Sequence, residues 1–235
     1  MVVARLYCYD DGRNMPPVRS DQFVRFGEHL ARHTELGDSS AQALSQELDI
    51  PYTTVVEWWR HLEFHRAILV AARDVRVDRA RLLHVLTAHR MARLSPSGVR
   101  TVAMDPREIA HALTRGSIPF ALGMLSAANE WAFFEQRRSV QIYAPRHALS
   151  DIRRLVPSEG GGPIRLEVFR ENLAHLPVVR RGGVPITSAF QTLLDCRAHP
   201  EGGAHAAFLE SQMLGRESEP RLTKTVRGEL VSPKR

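Results

Sequence analysis

Tyr52, Thr53, Thr54 and Glu57 stand close together at the start of a stretch whose apolar residues recur at helical spacing. Side chains in the first turns of such a helix can reach base edges. A threonine hydroxyl can donate or accept there, and Glu57 can accept from a cytosine amine. Arg60 lies later on the same helix, and Arg73 and Arg76 follow on a short ribbon. The planar fork of arginine suits phosphate oxygens. The first group would read sequence and the second would hold the backbone of a nucleic acid duplex. The plainer reading of Glu57 is a solvated helix carboxylate. Trp58 and Trp59 could stack on bases, but adjacent helix positions point different ways, so one of the two is expected in the core.

Those side chains need two short helices joined by a tight turn. Leu44 and Leu48 mark the first helix, over Ala41 to Leu48. Asp49-Ile50-Pro51-Tyr52 reads as the turn, and Thr53 to His65, carrying Val55 and Leu62, as the second helix. A helix from Asp21 to His33 precedes them, with Phe23, Phe26 and Leu30 on one face. Ile68–Ala71 and Val75–Val77 follow as a two-stranded ribbon, and Asp78 opens a helix to about Leu94. Residues 1–94 are expected to form one domain, a winged helix-turn-helix with an added N-terminal helix.

Ser95-Pro96-Ser97-Gly98 reads as a linker. Beyond it the expected elements are strands at Val99–Met104, Ser139–Ala144 and Ile164–Arg170. Helices are expected from Asp105-Pro106, over Leu122–Phe134 and His147–Leu155, and finally over Thr187–Arg197 and Gly203–Leu214. Residues 99–215 would form a small mixed α/β domain and 216–235 a flexible tail. The expected fold class is α+β.

Charge fits a nucleic acid partner. The 235 residues carry 32 Lys+Arg against 26 Asp+Glu, a net charge of +6, and only Lys224 and Lys234 are lysines. The excess is local. Residues 1–59 hold five arginines against nine carboxylates, whereas residues 60–94 hold eight arginines against three. Positive charge thus begins where the second helix of the pair ends and runs through the ribbon. No apolar run approaches a bilayer span, and charges at Arg5, Asp10, Asp11 and Arg13 break up any signal-peptide core, so the expected location is cytoplasmic. Cys8 and Cys196 are too few for a disulfide scaffold or a four-cysteine zinc site.

The segment LSQELDIPYTTVVEWWRHLEFHRAIL resembles the helix-turn-helix of winged-helix transcription regulators, with Leu44, Leu48, Ile50, Thr54 and Val55 at matching positions. Asp49 stands where glycine is usual and Pro51 where serine is usual. Further on, Pro185, Thr187, Ser188, Gln191, Thr192 and Asp195, followed by Gly202 and Gly203, resemble a motif of the AbiEi-type antitoxin and transcription-regulator family. The resemblance spans most of residues 36–214. It implies a DNA-binding autorepressor of a toxin–antitoxin operon, with double-stranded DNA as partner, a nucleotidyltransferase-like toxin as a second one, and a homodimer as a possible assembly. The residues of the motif read as fold-stabilising. Thr187 or Ser188 can cap the following helix, Gln191 can complete a capping box, and Asp195 can bind backbone or an arginine.

Enzyme readings lack their residues. Glu167-Val168-Phe169 places phenylalanine where a metal-dependent nuclease carries lysine. Gly116-Ser117 has no following aspartate pair, and Gly160-Gly161-Gly162 lacks the lysine of a phosphate loop. His61 and His65 could share a metal with Glu57, but no fourth ligand accompanies them. No catalytic residue, metal or cofactor is therefore expected. The alternatives are a nuclease-like enzyme targeted by a winged helix and a lone transcription factor with a ligand-sensing domain.

Overall fold

A computed structural model describes residues 20–37, 41–71, 74–91, 94, 96–132, 138–158 and 162–214. The architecture is mixed α+β. Residues 1–20 carry too little pattern for any element to be expected, and all but Ser20, the first residue of α1, lie outside the described residues, as does the expected tail of residues 216–235.

The described residues begin with α1 (Ser20–Arg32), β1 (Glu35–Gly37), α2 (Ala41–Leu48), α3 (Tyr52–Phe64), β2 (Ile68–Ala71), β3 (Asp74–Val77) and α4 (Arg79–Met91). The three strands form an antiparallel sheet in the order β1-β3-β2. Strand β1 is absent from the sequence expectation, because three residues ending in glycine carry no alternation to read. The turn between α2 and α3 is built by Asp49, whose φ of 52° is the left-handed conformation that explains glycine at such positions. Around it Ser45 donates its hydroxyl to the Ile50 carbonyl at 2.7 Å, and Arg25 of α1 donates to the Leu48 carbonyl at 3.0 Å. Arg25 thus satisfies one free carbonyl at the end of α2 and ties that end to α1. Val55, Trp58 and Leu62 form the buried face of α3, and Trp58 meets Phe23 edge to face at 5.2 Å. Trp59 is only partly buried.

The remaining strands are β4 (Pro96–Val102), β5 (Ala121–Leu122), β6 (Ser139–Ala144), β7 (Ile164–Arg170), β8 (Val178–Arg181) and β9 (Val184–Thr187). They form a mixed six-stranded sheet in the order β4-β7-β6-β5-β9-β8. Interleaved are α5 (Pro106–Arg115), α6 (Met124–Trp131), α7 (Leu149–Leu155), α8 (Ala189–Ala198) and α9 (Gly203–Leu214). Asp105 and Glu108 close a capping box on α5, with Pro106 in its first turn.

Several expectations are corrected here. The linker expected at Ser95–Gly98 is largely strand, since Pro96 and Gly98 pair with Phe169 and Val168 across an irregular register. The helix expected from Leu122 begins at Met124, because Ala121 and Leu122 pair with β6 and Leu122 also pairs with β9. The helix expected from Thr187 begins at Ala189, with Thr187 ending β9. Ser188 is its cap, accepting from the Gln191 N–H at 3.2 Å, a contact worth about 1 kcal/mol. Gln191 does not complete a capping box; its side chain donates instead to Asp195.

The apolar core runs across the expected domain boundary. One continuous cluster joins Phe26, Leu30, Leu62 and Leu83 of the first half to Leu125, Phe190, Leu194 and Leu209 of the second. Arg79, at the start of α4, donates to the carbonyls of Ala31 and Leu214, at 3.0 and 3.3 Å, tying the ends of α1 and α9 together. A second cluster fills the other face of the large sheet under α5 and α7.

Candidate nucleic-acid interface

The inner face of α3 is spent on the core, which fixes what its outer face presents. Tyr52 is 54% exposed, and Thr53, Glu57 and Arg60 are exposed on the same helix. Thr53, Glu57, Arg60 and Phe64 follow at intervals of four, three and four, so they share one outward stripe. Thr54 is half-buried beside it. No side chain caps α3, whose N-cap is Pro51, so its first turn keeps N–H groups for an outside acceptor.

The ribbon of β2 and β3 follows directly. Arg76 is exposed, directly across from Leu69 on one side and Glu35 on the other. Arg73 lies outside the described residues. Arg60 on α3 and Arg76 on β3 are both exposed, and the exposed Phe64 and Leu69 fall between them in sequence. The outer side of α3 and the ribbon can offer hydroxyl, carboxylate and guanidinium groups to a polar, anionic partner.

His61 and His65 meet edge to face with ring centroids 4.6 Å apart. Burial, then the neighbouring His65, lowers the pKa of His61. Among the described residues no three ligating side chains gather.

A second polar cluster lies deep between α4 and the large sheet. The Arg90 guanidinium donates through Nε to Asp195 Oδ1 at 2.7 Å and through Nη1 to Glu171 at 2.8 Å. The Tyr143 hydroxyl donates to Asp195 Oδ2 at 2.8 Å, and the Gln191 amide to Oδ1 at 2.7 Å. Arg90 also lies over the Tyr143 ring, 5.0 Å from its centre. Asp195 is fully buried and Arg90 only 4% exposed. Burial opposes the charge on Arg90, but Asp195, Tyr143 and Glu171 outweigh it and hold its pKa above the ordinary value. The expectation that Asp195 binds backbone or an arginine thus resolves to Arg90. That partner could not be read from sequence, since the two residues are 105 apart in the chain. A cavity of about 10 Å³, room for one water, lies beside the cluster. The pairing of Arg90 with Asp195 ties α4 to α8.

Burial and then the Asp195 carboxylate push the pKa of Tyr143 up. A raised folded value means stability that is complete below the unfolded pKa and lost as pH rises through the folded one. Stability should therefore fall above about pH 10, by up to about 1.4 kcal/mol per pH unit. Denaturant midpoints between pH 9 and 12 check this. Tyr143→Phe should start lower, for want of its hydrogen bond, and should decline less steeply.

Glu167 is nine-tenths buried, paired with Arg165 at 2.8 Å and accepting from Gln141 at 3.3 Å. Phe169, where a nuclease would carry lysine, packs against Tyr143. Among the described residues, no helix is long and apolar enough to cross a membrane. In comparisons with known proteins, the chain matches no family model, no curated protein and no solved structure.

Proposed function

We propose that the chain is a DNA-binding transcriptional regulator that reads duplex DNA through α3 and grips its backbone with the β2–β3 ribbon. The observation that carries this reading is the element order α1-β1-α2-α3-β2-β3 with strand order β1-β3-β2, which supports reading α2 and α3 as a helix-turn-helix and the β2–β3 ribbon as its wing. The stripe of Thr53, Glu57 and Arg60 on the exposed side of α3 supports it, as does the excess of arginine from Arg60 onward. Tyr52, Thr53, Thr54 and Glu57 would contact bases, and Arg60, Arg73 and Arg76 phosphates or an adjacent minor groove. The motif from Pro185 to Asp195 extends the proposal to an antitoxin-type autorepressor, cytoplasmic, acting as a homodimer, with a nucleotidyltransferase-like toxin as the second partner.

Base contacts specify and phosphate contacts position. Thr53→Ala and Thr54→Ala should therefore shift the preferred site in a selection from random duplexes while leaving affinity for non-specific duplex nearly unchanged. The same selected site for both variants and the parent would remove α3 from the role of reading helix.

A further inference from the structure

Among the described residues, strand β4 is an outer edge of the large sheet and pairs only with β7. Arg100 on it sits opposite Leu166, which places its side chain on the face covered by α5 and α7. There the edge of β4 and the C-terminal end of α7 enclose an open groove of about 500 Å³, lined by Gly98, Val99, Arg100, Arg153, Pro157 and Ser158. Arg100 is half-buried, and its Nη1 donates to the Val156 carbonyl at 3.2 Å, which fixes the guanidinium at the groove wall. Arg153 stands in the last turn of α7, exposed. Among the described residues, no carboxylate pairs with either guanidinium. Arg100 and Arg153 line the same groove, and burial, then the charge of Arg153, lowers the pKa of Arg100. A Cβ placed on Gly98 would meet nothing, so the groove is open over the strand.

We propose that this groove binds a phosphate group. Two guanidinium forks offer paired N–H donors to tetrahedral oxygens, and Ser158 adds a hydroxyl at the rim. A carboxylate would use one fork and leave the second cation unbalanced. A phosphate monoester carries close to two charges near neutral pH and balances both. The groove is wide enough for the body to which the phosphate is attached. This site is separate from α3 and rests on no reading of that helix.

The test titrates the full chain with two probes, inorganic pyrophosphate and a short DNA duplex, by calorimetry at fixed salt. The parent should bind pyrophosphate. Arg153→Ala should weaken that binding roughly tenfold, the loss of one charge-assisted contact, and Arg153→Glu should abolish it. Among the described residues Arg153 has no hydrogen-bond or ion-pair partner to lose, so the fold should be intact in both. Arg100→Ala should match or exceed the first loss, with its denaturation midpoint measured alongside. If duplex binding falls in step and pyrophosphate competes with it, the phosphate is that of a nucleic acid backbone. If only pyrophosphate is affected, the ligand is a free phosphate-bearing molecule. Absence of pyrophosphate binding together with unchanged duplex affinity overturns the site, and so does pyrophosphate binding that Arg153→Glu leaves intact.

Discussion

Arg90→Ala is expected to cost about 3–5 kcal/mol of folding stability, read as a lowered denaturant midpoint at unchanged slope. The substitution strands Asp195, which is fully buried, with only Tyr143 and Gln191 as donors, and leaves Glu171 without its guanidinium. Asp195→Ala should be as damaging, since three bonds converge on that carboxylate and Arg90 would keep only Glu171. An uncompensated buried charge is worse than no charge at all. The double variant Arg90→Met with Asp195→Leu should therefore lose less than the sum of the two single losses. It should not recover the parent's stability, because Tyr143 and Gln191 lose their acceptor. Additive losses would mean that the pair acts as two independent groups.

Gly202→Ala is expected to be among the most damaging changes of a single methyl group in the chain. A Cβ there would lie 1.9 Å from the Cys196 carbonyl oxygen and 2.6 Å from its carbon, and a backbone atom inside a buried helix cannot swing aside. The turn joining α8 to α9 must open, which disturbs the packing of Leu194 against Leu209 in the shared core. The expected loss is about 3 kcal/mol or more, at the upper end of overpacking costs. Gly203 next to it faces open space and begins α9. Gly203→Ala should be neutral or stabilise by up to about 1 kcal/mol, through helix propensity and a less flexible unfolded chain. Thermal melts of the two variants side by side check the contrast, and equal melting points would contradict it.

How much was legible in the sequence depends on whether the signal was local. The α2–turn–α3 unit and the β2–β3 ribbon carry theirs within a few residues: Leu44, Leu48, Val55 and Leu62 at helical spacing, and a short turn between apolar pairs. The β8–β9 hairpin was equally local and was missed. Gly182 and Gly183, with φ of 54° and 83°, form a two-residue turn between Val178–Arg181 and Val184–Thr187, the pattern of a tight hairpin. Strands β1 and β5 are too short to alternate, and only their partners define them. Pro96 and Gly98 imitate a linker because an edge strand tolerates both residues. The Arg90–Asp195 pair was out of reach for another reason. Burial of an ion pair depends on tertiary neighbours, and neither residue's local context marks it as anything but a helix charge. At the candidate interface, the side chains singled out on α3, half-buried Thr54 apart, are exposed because Val55, Trp58 and Leu62 claim the inner face. The phosphate groove could not be read at all, since Arg100 and Arg153 meet only through β4 and α7.

The shared core makes the whole chain, rather than residues 1–94, the right object for the measurement that bears most directly on the proposed function. That measurement is the affinity of the full chain for duplex DNA as a function of salt. Binding is expected to weaken linearly on a log–log plot, with Arg60→Ala and Arg76→Ala each lowering the slope by about one and weakening all duplexes alike. Folded protein that binds no duplex at low salt would contradict it.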